Sequence, residues 1–199
     1  MGSKERIARE KEQVRKNILD AALEIIIEEG CLALSMRKIA DRIEYAAATI
    51  YEYFANKDTI LAELTGQGYT LLANAVKKAG ASHTAAAEKV SAMWLAYWSF
   101  AFRHKELYKL MYGIQVSCPK PEGEIRNIDL PRQLFTAAIT GLIPGSAVSD
   151  EAVINKYYAL WATVHGLVSI NIVNEKLGKE VNHKILEHAI AAIIHAKHK

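Results

Sequence analysis

The sequence is short of cysteine, of proline, of net charge and of long apolar runs, and each shortage excludes a class of protein. Its two cysteines, Cys31 and Cys118, make no Cys-x-x-Cys pair and stand beside no cluster of histidines. Neither a disulfide framework nor a zinc site is indicated, so reduced thiols are expected and no metal or other cofactor is. The most apolar stretch, 90–102, is closed by Arg103 and falls short of the ~20 residues of a membrane span. It reads as a buried helix. The opening segment MGSKERIAREKEQVRK alternates charges where an export signal needs an apolar core, so a cytoplasmic location without a membrane partner is expected. No alternating strand pattern and no internal repeat is found.

What is present is an ordinary globular composition, 51% apolar and 24% charged, in a chain long enough to bury a sizeable core. The net charge of +3 is unevenly placed. In residues 1–16 the cations Lys4, Arg6, Arg9, Lys11, Arg15 and Lys16 outnumber Glu5, Glu10 and Glu12 by three, which equals the excess of the whole chain. Residues 17–60 hold Arg37, Lys38, Arg42 and Lys57 against eight acids. Binding to a polyanion therefore cannot be argued from basicity.

Apolar residues at Ile18, Ala22, Ile25 and Ile26 follow helical spacing, which predicts a helix over 5–29 that stops at Gly30. The arm before Val14 is expected to be unstructured or frayed. Its Lys4, Arg6 and Arg9 fit either a basic arm in the minor groove of DNA or a solvated tail. Ser35 is placed to cap a short helix over 36–43. A second short helix spans 46–54, and Asn56 or Asp58 opens a longer one through Val76. Further helices are predicted over 84–103, 104–112, 130–142, 149–175 and 181–195. The stretch 113–126, with Pro119, Pro121 and Gly123, reads as a mobile loop. The protein is predicted to be all-α.

Two short helices joined tightly, the second small-residued and ending in aromatics, suit a helix-turn-helix. The string SMRKIADRIEYAAATIYEYFANKDTIL resembles the DNA-binding signature of the TetR family at Ser35, Ile39, Ala40, Thr49, Ile50, Tyr51, Tyr53, Phe54, Lys57 and Asp58. The resemblance implies a three-helix DNA-binding head over 1–58, followed by a helical effector-binding and dimerisation bundle over 59–199. It also implies a role for each residue. Ser35, Arg37, Thr49, Tyr51 and Lys57 would contact the phosphates of double-stranded operator DNA. Ala47, Ala48 and Tyr53 would approach the bases. Hydroxyls and cations set register on a backbone, whereas alanines read little beyond thymine methyls. The turn Ile43-Glu44-Tyr45-Ala46 departs from the family pattern of Ala-Gly-Val-Ser, lacking both its glycine and its serine cap. Strain at a positive φ and a lost cap, typically ~1 kcal/mol, are expected.

In the body, Trp161-Ala-Thr-Val-His165-Gly166 resembles a Trp-x-x-x-His-Gly segment of one TetR subgroup. Trp161 and His165, four apart, share a helix face, either as a buried aromatic beside a hydrogen-bonded histidine or as a ligand contact. A small-molecule effector site is expected among Trp94, Tyr97, Trp98, Phe102, Met111, Tyr112, Trp161 and His165. The last two helices are more apolar than one small body needs. In the family such helices form a four-helix homodimer interface, which sets two reading helices ~34–36 Å apart. An enzyme with His165, His104 or His83 as base and Cys118 as nucleophile finds no supporting spacing, and no catalytic residue is assigned. A helical ligand-binding protein without operator affinity is the other alternative, supported by Glu44 and Ala46.

Overall fold

The computed structural model describes residues 2–114, 124–143, 145, 148–174 and 179–196, with the backbone alone for 3 and 179–181. Most of the expected 113–126 loop, Cys118 included, lies outside the described residues. Within them every regular element is helical, as predicted. The elements are α1 (Ser3–Glu29), a 3-10 turn (Cys31–Ala33), α2 (Met36–Arg42), α3 (Ala47–Tyr53), α4 (Lys57–Ala81), α5 (Ala86–Arg103), α6 (Lys105–Tyr112), α7 (Leu130–Thr140), α8 (Asp150–Asn174) and α9 (Lys179–His195). They divide into two compact units. One holds α1 to α3, α4 as far as Gln67, and α6 from Glu106. The other holds α4 from Gly68, then α5, α7, α8 and α9.

In the first unit α1 buries Ile18, Ala22 and Ile25 completely. It is helical from Ser3, which corrects the expectation of an unstructured or frayed arm before Val14. Ala, Glu, Lys, Arg and Gln are strong helix formers, and Arg6 and Glu10 pair at 3.6 Å one turn apart. They extend outward a helix already nucleated by its packed end. Gly30 stops it at φ 83°. Ser35 caps α2, its Oγ accepting from Lys38 N–H at 3.2 Å, and Asn56 caps α4, its Oδ1 accepting from Thr59 N–H at 2.9 Å. Cys31 is buried.

In the second unit α5 buries a stripe of Val90, Met93, Trp94, Tyr97 and Ala101 against α7, α8 and α9. Phe135 and Ile139 come from α7, Val164 and Val168 from α8, and Leu186 and Ile190 from α9. Two polar ties fix α9 on α8. Buried Asn171 and Asn182 exchange amide hydrogen bonds of 3.0 and 2.6 Å. The ammonium of Lys156, 5% exposed, donates to the carbonyls of Ile193, Ile194 and Ala196 at 2.7, 3.3 and 3.4 Å. These carbonyls have no partner further along their own helix. Burial holds the Lys156 pKa below the ordinary lysine value. Lys156→Met keeps the aliphatic stem and removes the donor. It is expected to lower unfolding free energy by about 1–3 kcal/mol, and an unchanged urea midpoint would refute the role given to the ammonium.

Candidate functional site

The α2–α3 connection is a closed backbone turn. Tyr45 N–H donates to the Ala40 carbonyl at 3.0 Å and Glu44 N–H to the Asp41 carbonyl at 3.4 Å, the paired pattern of a Schellman motif. That motif needs a left-handed residue, and Glu44 supplies it at φ 59°. The departure from glycine seen in the sequence is thus a real strain, of about 1–2 kcal/mol for a side chain in this region. Ala46 precedes α3 and provides no side-chain hydrogen bond, so α3 lacks a side-chain cap. Burial offsets these costs. Ile39 and Ile50 are fully buried and Phe54 nearly so, and α2 packs on α3.

Packing these residues inward turns the others outward. Ser35, Arg37, Ala48 and Tyr51 are exposed, and Ala47, Thr49, Tyr53 and Lys57 are half-buried. All eight belong to the first unit, on α2, on α3 or at the N-terminal ends of α2 and α4. Several neighbouring charges are already committed. Arg42 bonds Glu28 at 2.7 Å and approaches Glu24 and Glu29 at 3.6 and 3.8 Å, while Lys38 pairs with Glu29. Three of the acids that made residues 17–60 look hostile to DNA therefore serve to clamp α1 to α2. Arg15 is also engaged, bonding Glu63 at 2.9 Å with its guanidinium 4.5 Å over the Phe54 ring. Sequence reasoning counted Arg15 in the basic arm and missed this link from α1 to the end of α3. Beside it, Ala8, Lys11, Glu12, Arg15, Glu52 and Tyr53 line a groove of about 490 Å³.

In the second unit four of the expected effector residues come together in two groups. Trp94 stacks on Phe135 with ring centroids 3.9 Å apart and lies 5.5 Å from Tyr97 and 6.0 Å from Tyr157. Tyr97 Oη lies 3.3 Å from His165 Nδ1, and His165 stacks on Trp161 at 4.9 Å. Phe135 and Tyr157 were not singled out in the sequence. Trp98 and Phe102 pair with each other at 4.6 Å, and Phe102 is 40% exposed. Met111 and Tyr112 are on α6 in the first unit, where Tyr112 packs on Tyr108 at 4.6 Å. Burial lowers the His165 pKa and pushes the Tyr157 hydroxyl up to about 12. Both side chains are neutral at physiological pH. Of the histidines weighed as bases, His83 pairs with Glu88 at 3.5 Å and His104 packs on Phe100.

Comparison with known proteins agrees with this arrangement. The model of bacterial regulatory proteins of the tetR family matches residues 18–64, and that of the tetracyclin repressor-like C-terminal domain matches residues 90–193. The chain belongs to the TetR family. Among curated relatives of this TetR-family chain, the transcriptional repressor KstR of Mycobacterium tuberculosis is 39% identical over a match covering 28% of the chain and 26% of KstR. That match spans about a quarter of KstR's own length. The transcriptional regulator BetI of Rhizobium meliloti is 29% identical, over 55% of the chain and 68% of BetI. A solved structure from Rhodococcus sp. RHA1 has the same fold, with a TM-score of 0.77 at 22% identity over 90% of the chain and 93% of its own. Among the described residues of the TetR-family chain, no helix is long and apolar enough to cross a membrane. No group of metal-ligating side chains is found among them either.

Two outcomes follow for this TetR-family head and body. Glu44→Gly relieves the left-handed strain and is expected to stabilise the chain by about 1 kcal/mol. Glu44→Ala, which removes only the charge, should show no such gain in thermal melts, and equal gains would mean that charge and not backbone was the cost. For His165 and His104 the folded pKa lies below the ordinary value of 6.5. Below pH 6.5 the unfolded chain takes up their protons first, so stability falls as pH drops toward the folded values and is unaffected by them above 6.5. His165→Asn should flatten part of that slope in urea titrations between pH 5 and 7, and an unaltered slope would rule out its contribution.

Proposed function

We propose that this TetR-family protein is a ligand-responsive transcriptional regulator, a repressor, that grips operator DNA as a homodimer and lets go when a small, largely apolar effector enters its second unit. The observation that carries the reading is the α2–α3 turn. It buries Ile39, Ile50 and Phe54 on one side and leaves Ser35, Arg37, Ala48 and Tyr51 exposed on the other. Ser35, Arg37, Thr49, Tyr51 and Lys57 would hold phosphates, and Ala47, Ala48 and Tyr53 would approach bases. With two alanines on the reading helix, groove shape and phosphate contacts would carry more of the recognition than hydrogen bonds to base edges.

Support for a homodimer through the last two helices comes from α8 and α9. Tyr158, Ile170 and Val173 on α8 and Ile185 on α9 are between 43% and 55% exposed, a quantity of uncovered apolar surface that a partner helix would bury. Gly166 has open space where a Cβ would stand, which suits close helix approach. The Trp161-x-x-x-His165-Gly166 segment supports grouping the body with the subgroup carrying that motif. There, Trp94, Tyr97, Trp161 and His165 would line the effector site, with Trp98 and Phe102 further along α5. Binding would shift the population of body conformations. α4, which carries the chain from one unit to the other, would pass the shift to the reading helix.

The test is a gel shift with the protein's own upstream DNA across a salt series. Wild-type affinity should fall steeply with salt, by a log–log slope of about −0.9 per phosphate contact. Tyr51→Ala with Lys57→Ala should weaken binding for all sequences and reduce the slope by about one, since only Lys57 carries a charge. Full affinity in the double variant would remove those contacts, and no binding by the wild type would favour a ligand-binding protein without operator affinity.

A further inference from the structure

Trp94 is fully buried, and its indole Nε1–H has no hydrogen-bond partner, alone in this among the buried side-chain polar atoms of the described residues. Folded proteins rarely leave such a donor unmet. The stack on Phe135 does not meet it. Phe135 covers the indole face at 3.9 Å and 19°, but the N–H lies in the ring plane and needs an acceptor at the edge. The hydroxyl of Tyr97, one turn along α5, is engaged with His165 Nδ1. A phenylalanine here would keep a ring to stack on Phe135, with less volume, and would bury no unmet donor.

We propose that Trp94 Nε1–H is the polar anchor of the effector, and that the effector is an uncharged, flat, apolar molecule carrying a carbonyl oxygen that accepts this hydrogen bond. The proposal rests on reading the second unit as an effector-sensing body. An uncharged ligand follows from the surroundings. The rings packed on Trp94 are Phe135, Tyr97 and Tyr157, none of them a cation. The buried ammonium of the unit, Lys156, is committed to the carbonyls of Ile193, Ile194 and Ala196. A carboxylate would lose its hydration without gaining a counter-charge. A ketone, ester or amide loses far less and satisfies the donor. Trp94, Tyr97 and Phe135 are each 1% exposed or less, so the ligand enters by parting the rings of α5 and α7. Occupancy is thereby tied to helix position, as a sensor requires.

The probes are acetophenone, ethylbenzene, which lacks only the carbonyl oxygen, and benzoate, added to the full-length chain labelled with 15N at tryptophan. Trp98→Phe and Trp161→Phe assign the Trp94 indole signal by elimination, so the test survives even if Trp94→Phe does not fold. Acetophenone should move that signal downfield and bind roughly tenfold more tightly than ethylbenzene, the worth of one hydrogen bond. Benzoate should bind more weakly than acetophenone. In a folded Trp94→Phe chain the preference for acetophenone over ethylbenzene should vanish. A Trp94 signal unmoved up to the solubility limit of acetophenone, equal affinity for the first two probes, or a preference for benzoate would overturn the proposal. Gel shifts on the same samples separate the two readings. Operator binding with an unmoved Trp94 signal defeats the anchor alone, and a moved signal in a chain that binds no DNA defeats the regulator reading alone.

Discussion

Two backbone hydrogen bonds, from Tyr45 to Ala40 and from Glu44 to Asp41, set the angle between α2 and α3, and what is proposed for the head depends on that angle. They form only with a left-handed residue at position 44, and the chain supplies a glutamate. The conformation persists because its neighbours over-determine it. Ile39, Ile50 and Phe54 are buried together, Ser35 holds the start of α2, and Arg42 fastens its end to α1. Arg15 supports the far end of α3 through Phe54. The turn is strained locally and held from four directions.

Much of this was legible in the sequence, where the physics is local. Local sequence patterns gave α1 and α5 their buried stripes, Gly30 its stop, Ser35 its cap and Asn56 or Asp58 as the start of α4, because each depends on residues within a turn or two. The strain at Glu44 was legible for the same reason. Contacts between distant positions were not. Arg15 and Glu63 are 48 residues apart, Tyr97 and His165 are 68 apart, and no spacing rule relates them. Charge counting failed for the same cause. Glu24, Glu28 and Glu29 counted against a polyanion until Arg42 and Lys38 were seen to neutralise them.

The second unit shows how few polar groups an apolar bundle needs. α8 is apolar around most of its circumference, so hydrophobic burial alone would fix neither its register nor its rotation against α9. Asn171 with Asn182, and Lys156 with the last carbonyls of α9, supply that register. Their side chains are met, so their burial costs little. Trp94 is the exception in the same core, and this sets it apart from the other buried aromatics. Aromatic residues in a sequence do not declare whether their polar edge will be met, since that depends on what four helices bring around it.

The seven residues of α3 divide unequally. Ile50 is fully buried and the remaining six are exposed or half-buried. Substitutions at outward positions of a helix usually change stability by no more than about 0.5 kcal/mol. On the proposed reading of α3, its outward surface could therefore drift to a new operator almost without cost to folding, whereas the turn that aims it could not. Paralogues arising from such a chain would share one scaffold and diverge in a handful of side chains.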